Sequence, residues 1–133
     1  MADISKQFKL PNRRVGKVIT ATAAYTLKNS ESGAVCEWNS ATAFNFNLPP
    51  VRPENKGVYY TFVIKTAATG GTGHGVSPNS VDQVRVPGQT PTDNKDAYFA
   101  TASDAVGNGF TVESDGRTGW LLYAINGTVA QEA

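Results

Sequence analysis

The chain has 133 residues and a mass of 14.1 kDa, the usual size of one domain, so composition points to a single core. Twelve Lys and Arg against eleven Asp and Glu leave a net charge of +1, which argues against a dedicated duplex-DNA or RNA binder with a broad basic face. A single cysteine, Cys36, rules out an intrachain disulfide, and one Cys with one His is too few for a structural zinc site.

Charge is unevenly spread at the N-terminus. Within residues 1–17, Lys6, Lys9, Arg13, Arg14 and Lys17 against Asp3 give +4, which leaves seven basic and ten acidic residues, −3, for the remainder. Phe8 and Leu10 are the only sizeable apolar anchors before Val15, so the segment reads as an extended arm. At about 3.3 Å per residue it reaches roughly 55 Å, far enough to touch a neighbouring subunit. It has no hydrophobic signal core, and no window of the chain is apolar enough for a membrane helix; the expectation is a soluble protein made in the cytoplasm.

Beyond the arm, residues 18–133 read as one all-β domain. Short strands are expected at Tyr25 to Leu27 and Ala34 to Trp38. From Ala43 the pattern has period two, with Phe44, Phe46 and Leu48 on one face and Ala43, Asn45 and Asn47 on the other. Val58, Tyr60, Phe62 and Ile64 alternate in the same way with Tyr59, Thr61, Val63 and Lys65, the clearest strand of the chain. Val81 to Val86, Gly109 to Glu113 and Gly119 to Ile125 complete the set. Asp93 to Ala105 is rich in Thr, Ser and Asp and reads as loop. The Asp115-Gly116 pair predicts a tight hairpin turn, and Asn126-Gly127 repeats the signal. The last main strand is apolar on both faces: Trp120, Leu122 and Ala124 against Leu121, Tyr123 and Ile125. It is either central in the fold or part of a subunit contact. The architecture expected is a compact antiparallel β-sandwich or small β-barrel, of β-tulip or jelly-roll type, with an N-terminal arm.

Motifs for chemistry are weak. The run Gly70-Gly71-Thr72-Gly73-His74-Gly75 follows a strand as a phosphate loop does, but Val76-Ser77-Pro78-Asn79 leads to another turn instead of a helix, and the Lys-Ser/Thr pair of a P-loop is missing. Cys36, between Val35 and Trp38, fits a small buried residue and not a nucleophile. Asp82, Asp93, Asp96, Asp104, Glu113 and Asp115 are candidates for paired carboxylates, and the loop holding Asp93 and Asp96 for calcium, though such residues more often face water. Pro49-Pro50-Val51-Arg52-Pro53 suits a rigid connection between strands. Tyr59, Trp38 and Tyr98 are candidates for a sugar-stacking platform. Neither enzyme activity nor a cofactor or metal is expected.

The runs Tyr25-Thr26-Leu27, Ser32-Gly33, Leu48-Pro49-Pro50 and Tyr60-Thr61-Phe62-Val63-Ile64, then Gly73 to Pro78, Val81-Asp82, Thr92 to Asp96, Ala105 to Asn108, Ser114-Asp115-Gly116 and Gly119-Trp120, resemble segments of small structural proteins of tailed bacteriophages, those of the head decoration or capsid cement type. The likeness spans roughly residues 20 to 130 and leaves out the arm. It implies a non-enzymatic virion protein on the outer surface of the expanded capsid, commonly a homotrimer at three-fold positions, whose partner is the major capsid protein of the same phage and which engages neither nucleic acid nor membrane. On that view Lys6, Phe8, Lys9, Leu10, Arg13 and Arg14 form a capsid-docking arm, and Trp120, Leu121, Leu122, Tyr123 and Ile125 form a self-association strand. The alternative is a receptor- or glycan-binding domain of a phage tail fibre or baseplate.

Overall fold

A computed structural model describes residues 17–133. Strands make up 41% of it against 8% of short 3-10 helix, so the fold is β-rich, as the alternating patterns predict. Eleven strands follow in chain order: β1 (Val18–Ala21), β2 (Tyr25–Thr26), β3 (Val35–Asn39), β4 (Asn45–Asn47), β5 (Tyr59–Thr66), β6 (Gly75–Ser77), β7 (Gln83–Arg85), β8 (Ala97–Phe99), β9 (Gly109–Ser114), β10 (Gly119–Asn126) and β11 (Val129–Gln131). They form a six-stranded sheet, β1-β3-β5-β9-β10-β7, and a five-stranded sheet, β11-β8-β6-β4-β2, neither of which closes into a barrel.

The expectation of purely antiparallel pairing is corrected. From β1 to β7 the chain changes sheet at every strand and returns to each sheet running in its previous direction, and only at β8 and β9 does it come back reversed. Hence β1 lies parallel to β3, β3 to β5, β2 to β4, and β4 to β6, and β10 lies parallel to β7. Antiparallel pairing is confined to β5 with β9, β9 with β10, β6 with β8 and β8 with β11. The segment from Asp93 to Ala105, expected to be loop, contains β8 and a 3-10 turn at Thr101–Ser103.

Alternation explains which side chains meet between the sheets. Cys36 and Trp38 of β3, Tyr60, Phe62 and Ile64 of β5, Phe110 and Val112 of β9 and Trp120 and Leu122 of β10 point inward and are buried, as are Phe46, Val76, Ala97 and Phe99 from the other sheet. Trp38 is the centre. Its indole packs on Phe62 and Phe110 of its own sheet, with ring centroids 5.4 and 5.7 Å away, and on Phe46 and Phe99 of the facing sheet, at 5.9 and 5.8 Å. It also donates Nε1–H to the Gly75 carbonyl at 3.2 Å, so one side chain ties β3 to β6 by both packing and a hydrogen bond.

The glycine-rich loop serves this closure. A Cβ on Gly75 would collide with the Ala97 carbonyl and stand 2.9 Å from the Tyr98 Cα, so glycine is what permits β6 and β8 to approach. The buried His74 ring lies 5.8 Å from Trp38, nearly parallel to it. Its Nδ1 accepts from the Phe44 N–H at 3.2 Å, so Nε2 carries the hydrogen directed at the Ser40 and Thr66 carbonyls, at 2.9 and 3.0 Å. Asp104 holds the same loop, accepting the His74 and Ala68 N–H groups at 2.6 and 2.8 Å.

The turn between β9 and β10 lies at Asp115-Gly116 and pairs the two strands antiparallel as expected, but the connection spans residues 115–118 and only Gly116, at φ +74°, takes a positive φ, so it is wider than the tight Asp-Gly turn. Asp115 Oδ1 accepts the N–H groups of Arg117, Thr118 and Gly119 at 2.7, 2.9 and 3.1 Å, and Oδ2 pairs with Arg85 at 2.7 Å. Partial burial pushes this carboxyl up, but the donors from Arg117, Gly119 and Thr118 outweigh it and hold the group well below the usual carboxylate range.

Trp38→Ala is expected to destabilise the protein by about 3–5 kcal/mol, read as a lower urea midpoint, because neither sheet can collapse into the space left. Acid should act through Asp115. Its folded-state carboxyl titrates below the unfolded value, so its stabilisation is complete above about pH 4 and is lost as pH falls from there toward the folded value. Asp115→Asn should be less stable than the parent at neutral pH and show a flatter acid limb in thermal melts; parallel pH profiles would sink this account.

Candidate docking surface

Register fixes what the six-stranded sheet presents on the side away from the core. One row runs Tyr59–Glu113–Leu121–Arg85, the next Val18–Val35–Thr61–Thr111–Tyr123, and a third Thr20–Glu37–Val63–Gly109–Asn126. Tyr59 and Tyr123 are each 44% exposed and Leu121 is 39% exposed, large apolar surfaces placed close together by the β5–β9–β10 pairing. Glu113 lies between them and accepts from the Tyr123 hydroxyl at 3.0 Å; that bond, with partial burial and the carboxylate charge, raises the Tyr123 pKa. The Thr61 and Thr111 hydroxyls are 3.1 Å apart in the middle row.

Strand β10 changes character along its length. Its pairing with β7 covers only Gly119 to Leu121, and a bulge between Tyr123 and Asn126 puts Ala124 at φ +54°. The strict alternation expected of this strand therefore ends at Tyr123. An open cavity of about 210 Å³ lies beside the bulge, lined by Thr61, Val63, Gly109, Thr111, Ala124 and Asn126 among others.

The residues expected to associate divide accordingly. Trp120 and Leu122, fully buried and 5% exposed respectively, belong to the chain's own core and are corrected out of any contact surface. Leu121, Tyr123 and Ile125 remain exposed. Lys6, Phe8, Lys9, Leu10, Arg13 and Arg14 lie outside the described residues. Tyr59 joins the patch only through register, which no periodicity within β5 reveals. The proposed sugar platform is not assembled: Trp38 is buried, Tyr98 lies on the five-stranded sheet and Tyr59 on the six-stranded one.

The candidate carboxylates are held in anchoring hydrogen bonds. Asp82 accepts the Val51 N–H at 2.8 Å, Asp93 the Gln83 amide at 3.0 Å and Asp96 the Asn45 amide at 2.8 Å. Burial, followed by the Asp93 and Asp115 charges, outweighs the Val51 bond and raises the Asp82 pKa. Among the described residues no group of three His, Cys, Asp or Glu side chains is placed to hold a metal ion. No helix of the described residues is long and apolar enough to cross a membrane. Cys36 is fully buried, and burial, followed by the nearby Glu31 charge, pushes its thiol up to about 12.

Compared with protein-family models and with curated proteins, the chain matches none.

The buried thiol should resist iodoacetamide at pH 8 in the folded protein and react fully once the chain is unfolded in urea. Rapid alkylation of the native protein would show that β3 opens far more readily than its packing implies.

Proposed function

We propose that this chain is a non-enzymatic decoration protein of a tailed-phage head, binding the outer surface of the expanded capsid as a trimer and stabilising it. On this reading the two sheets are the layers of a β-sandwich, and the basic segment before β1 is an arm that docks on the major capsid protein. The observation that carries the reading is the outward patch of Tyr59, Leu121 and Tyr123, with the exposed Ile125 within the bulge, on a sheet backed by a dense aromatic core. An apolar patch on a stiff support suits association between subunits, because little conformational entropy remains to be lost on contact. Carboxylates engaged in anchoring hydrogen bonds and a buried thiol support a structural role over a catalytic one. Many weak contacts repeated over one shell suffice for stable attachment.

A second reading, a glycan-binding domain of a fibre or baseplate, is favoured by the cavity in which the Thr61 and Thr111 hydroxyls and Asn126 meet near Tyr123.

The test is co-sedimentation of the full chain with expanded, undecorated shells of the source phage. Saturable, stoichiometric binding is expected; removal of residues 1–14 should abolish it without shifting the unfolding midpoint, and Tyr123→Asp should weaken trimer formation. Absence of binding to expanded shells, with capture on host-surface polysaccharide, would transfer the assignment to the second reading.

A further inference from the structure

Two Asn–Gly pairs meet at the bulged end of β10, and the fold treats them oppositely. A Cβ on Gly127 would stand 3.0 Å from the Asn108 amide nitrogen, so the two pairs are neighbours. Asn108 is locked. Its side chain donates to the Ser103 carbonyl at 2.9 Å, its N–H donates to the Ala105 carbonyl at 3.0 Å, and its carbonyl accepts from the Ile64 N–H at 2.9 Å. The following Gly109 is buried in the ladder with β5, where a Cβ would collide with the Phe62 carbonyl.

Asn126 is the reverse case. It is exposed and lines the open cavity, and its amide makes no hydrogen bond among the described residues. The Gly127 N–H likewise has no hydrogen-bond partner among them, and the residue is exposed. Electrophile and nucleophile thus sit on adjacent residues, both open to water.

We propose that Asn126 is a site of spontaneous deamidation, and that the fold protects Asn108 although the same residue follows it. Hydroxide removes the Gly127 amide proton, and the nitrogen attacks the Asn126 Cγ. A C–N bond forms, the bond from Cγ to Nδ2 breaks, and ammonia leaves a five-membered succinimide. Water then opens the ring at either carbonyl, giving Asp or isoaspartate. No oxidant or enzyme is needed, and the net change is amide plus water to carboxylate plus ammonium. The new charge falls in the row that already holds Glu37, on the side of the sheet that carries Glu113, so ageing makes this surface more acidic.

The test tracks both residues by peptide mass spectrometry, with isoaspartate labelling, while the full chain is incubated at mildly alkaline pH, folded and in parallel in concentrated urea. In the folded protein Asn126 should convert at least about tenfold faster than Asn108, a barrier difference of roughly 1.4 kcal/mol, and in urea the two rates should converge. Asn126→Gln should abolish conversion at that position and leave the rate at Asn108 unchanged. Equal rates in the folded protein overturn the proposal. So does a tenfold gap that persists in urea, since local sequence and not the fold would then set it.

Discussion

The structure depends on a single side chain that packs against both sheets. Trp38 stacks against aromatics of its own sheet and of the facing one, and its indole N–H reaches across to the Gly75 carbonyl. The surrounding specialisations stem from that reach. Gly75 has no side chain because β6 must come close to β8; His74 lies parallel to the indole and ties the β3–β4 connection to the end of β5; Asp104 holds the loop that delivers His74. A loop with the glycine content of a phosphate site is in this way used for packing.

Period-two patterning makes much of this legible. The alternation in β5 correctly separates Tyr60, Phe62 and Ile64, which enter the core, from Tyr59, Thr61 and Val63, and the Asp115-Gly116 turn lies where its residues predict. Topology is hidden for a physical reason. Alternation reports which face of a strand is buried and says nothing about which strand lies beside it, so a chain that changes sheet at nearly every strand reads the same as one that folds back in hairpins. Strands β6, β8 and β11 are three residues long, too short for a pattern to emerge. In β10 the apolar run suggests two usable faces, but Trp120 and Leu122 are claimed by the core and the bulge re-aims the residues after Tyr123.

The chain separates its two kinds of chemistry by location. Charged groups that approach the interior are tied to backbone or to each other: Glu31 accepts from Tyr25, Lys17 and the Lys28 N–H, at 2.7, 3.1 and 2.9 Å, and Asp115 closes its own turn. Such carboxylates stabilise loops, and their lone pairs are occupied. The outer side of the six-stranded sheet instead leaves aromatic and aliphatic surface uncovered. This division suits a protein whose role is contact, because the support stays rigid while the contact surface is free to vary.

Alternation between the two sheets also sets when the protein can assemble. Strand β5 lies at the heart of the larger sheet, with β3 on one side and β9, more than forty residues further along the chain, on the other. Neither sheet can be completed from a contiguous stretch of sequence, since each waits for strands interleaved with those of its partner. Loop-closure entropy must therefore be met before most native contacts form, which places the protein among slow, high-contact-order folders. During synthesis, β1 to β5 emerge long before β9 and β10, so the β9-facing edge of β5 remains open to foreign strands until β9 has left the ribosome.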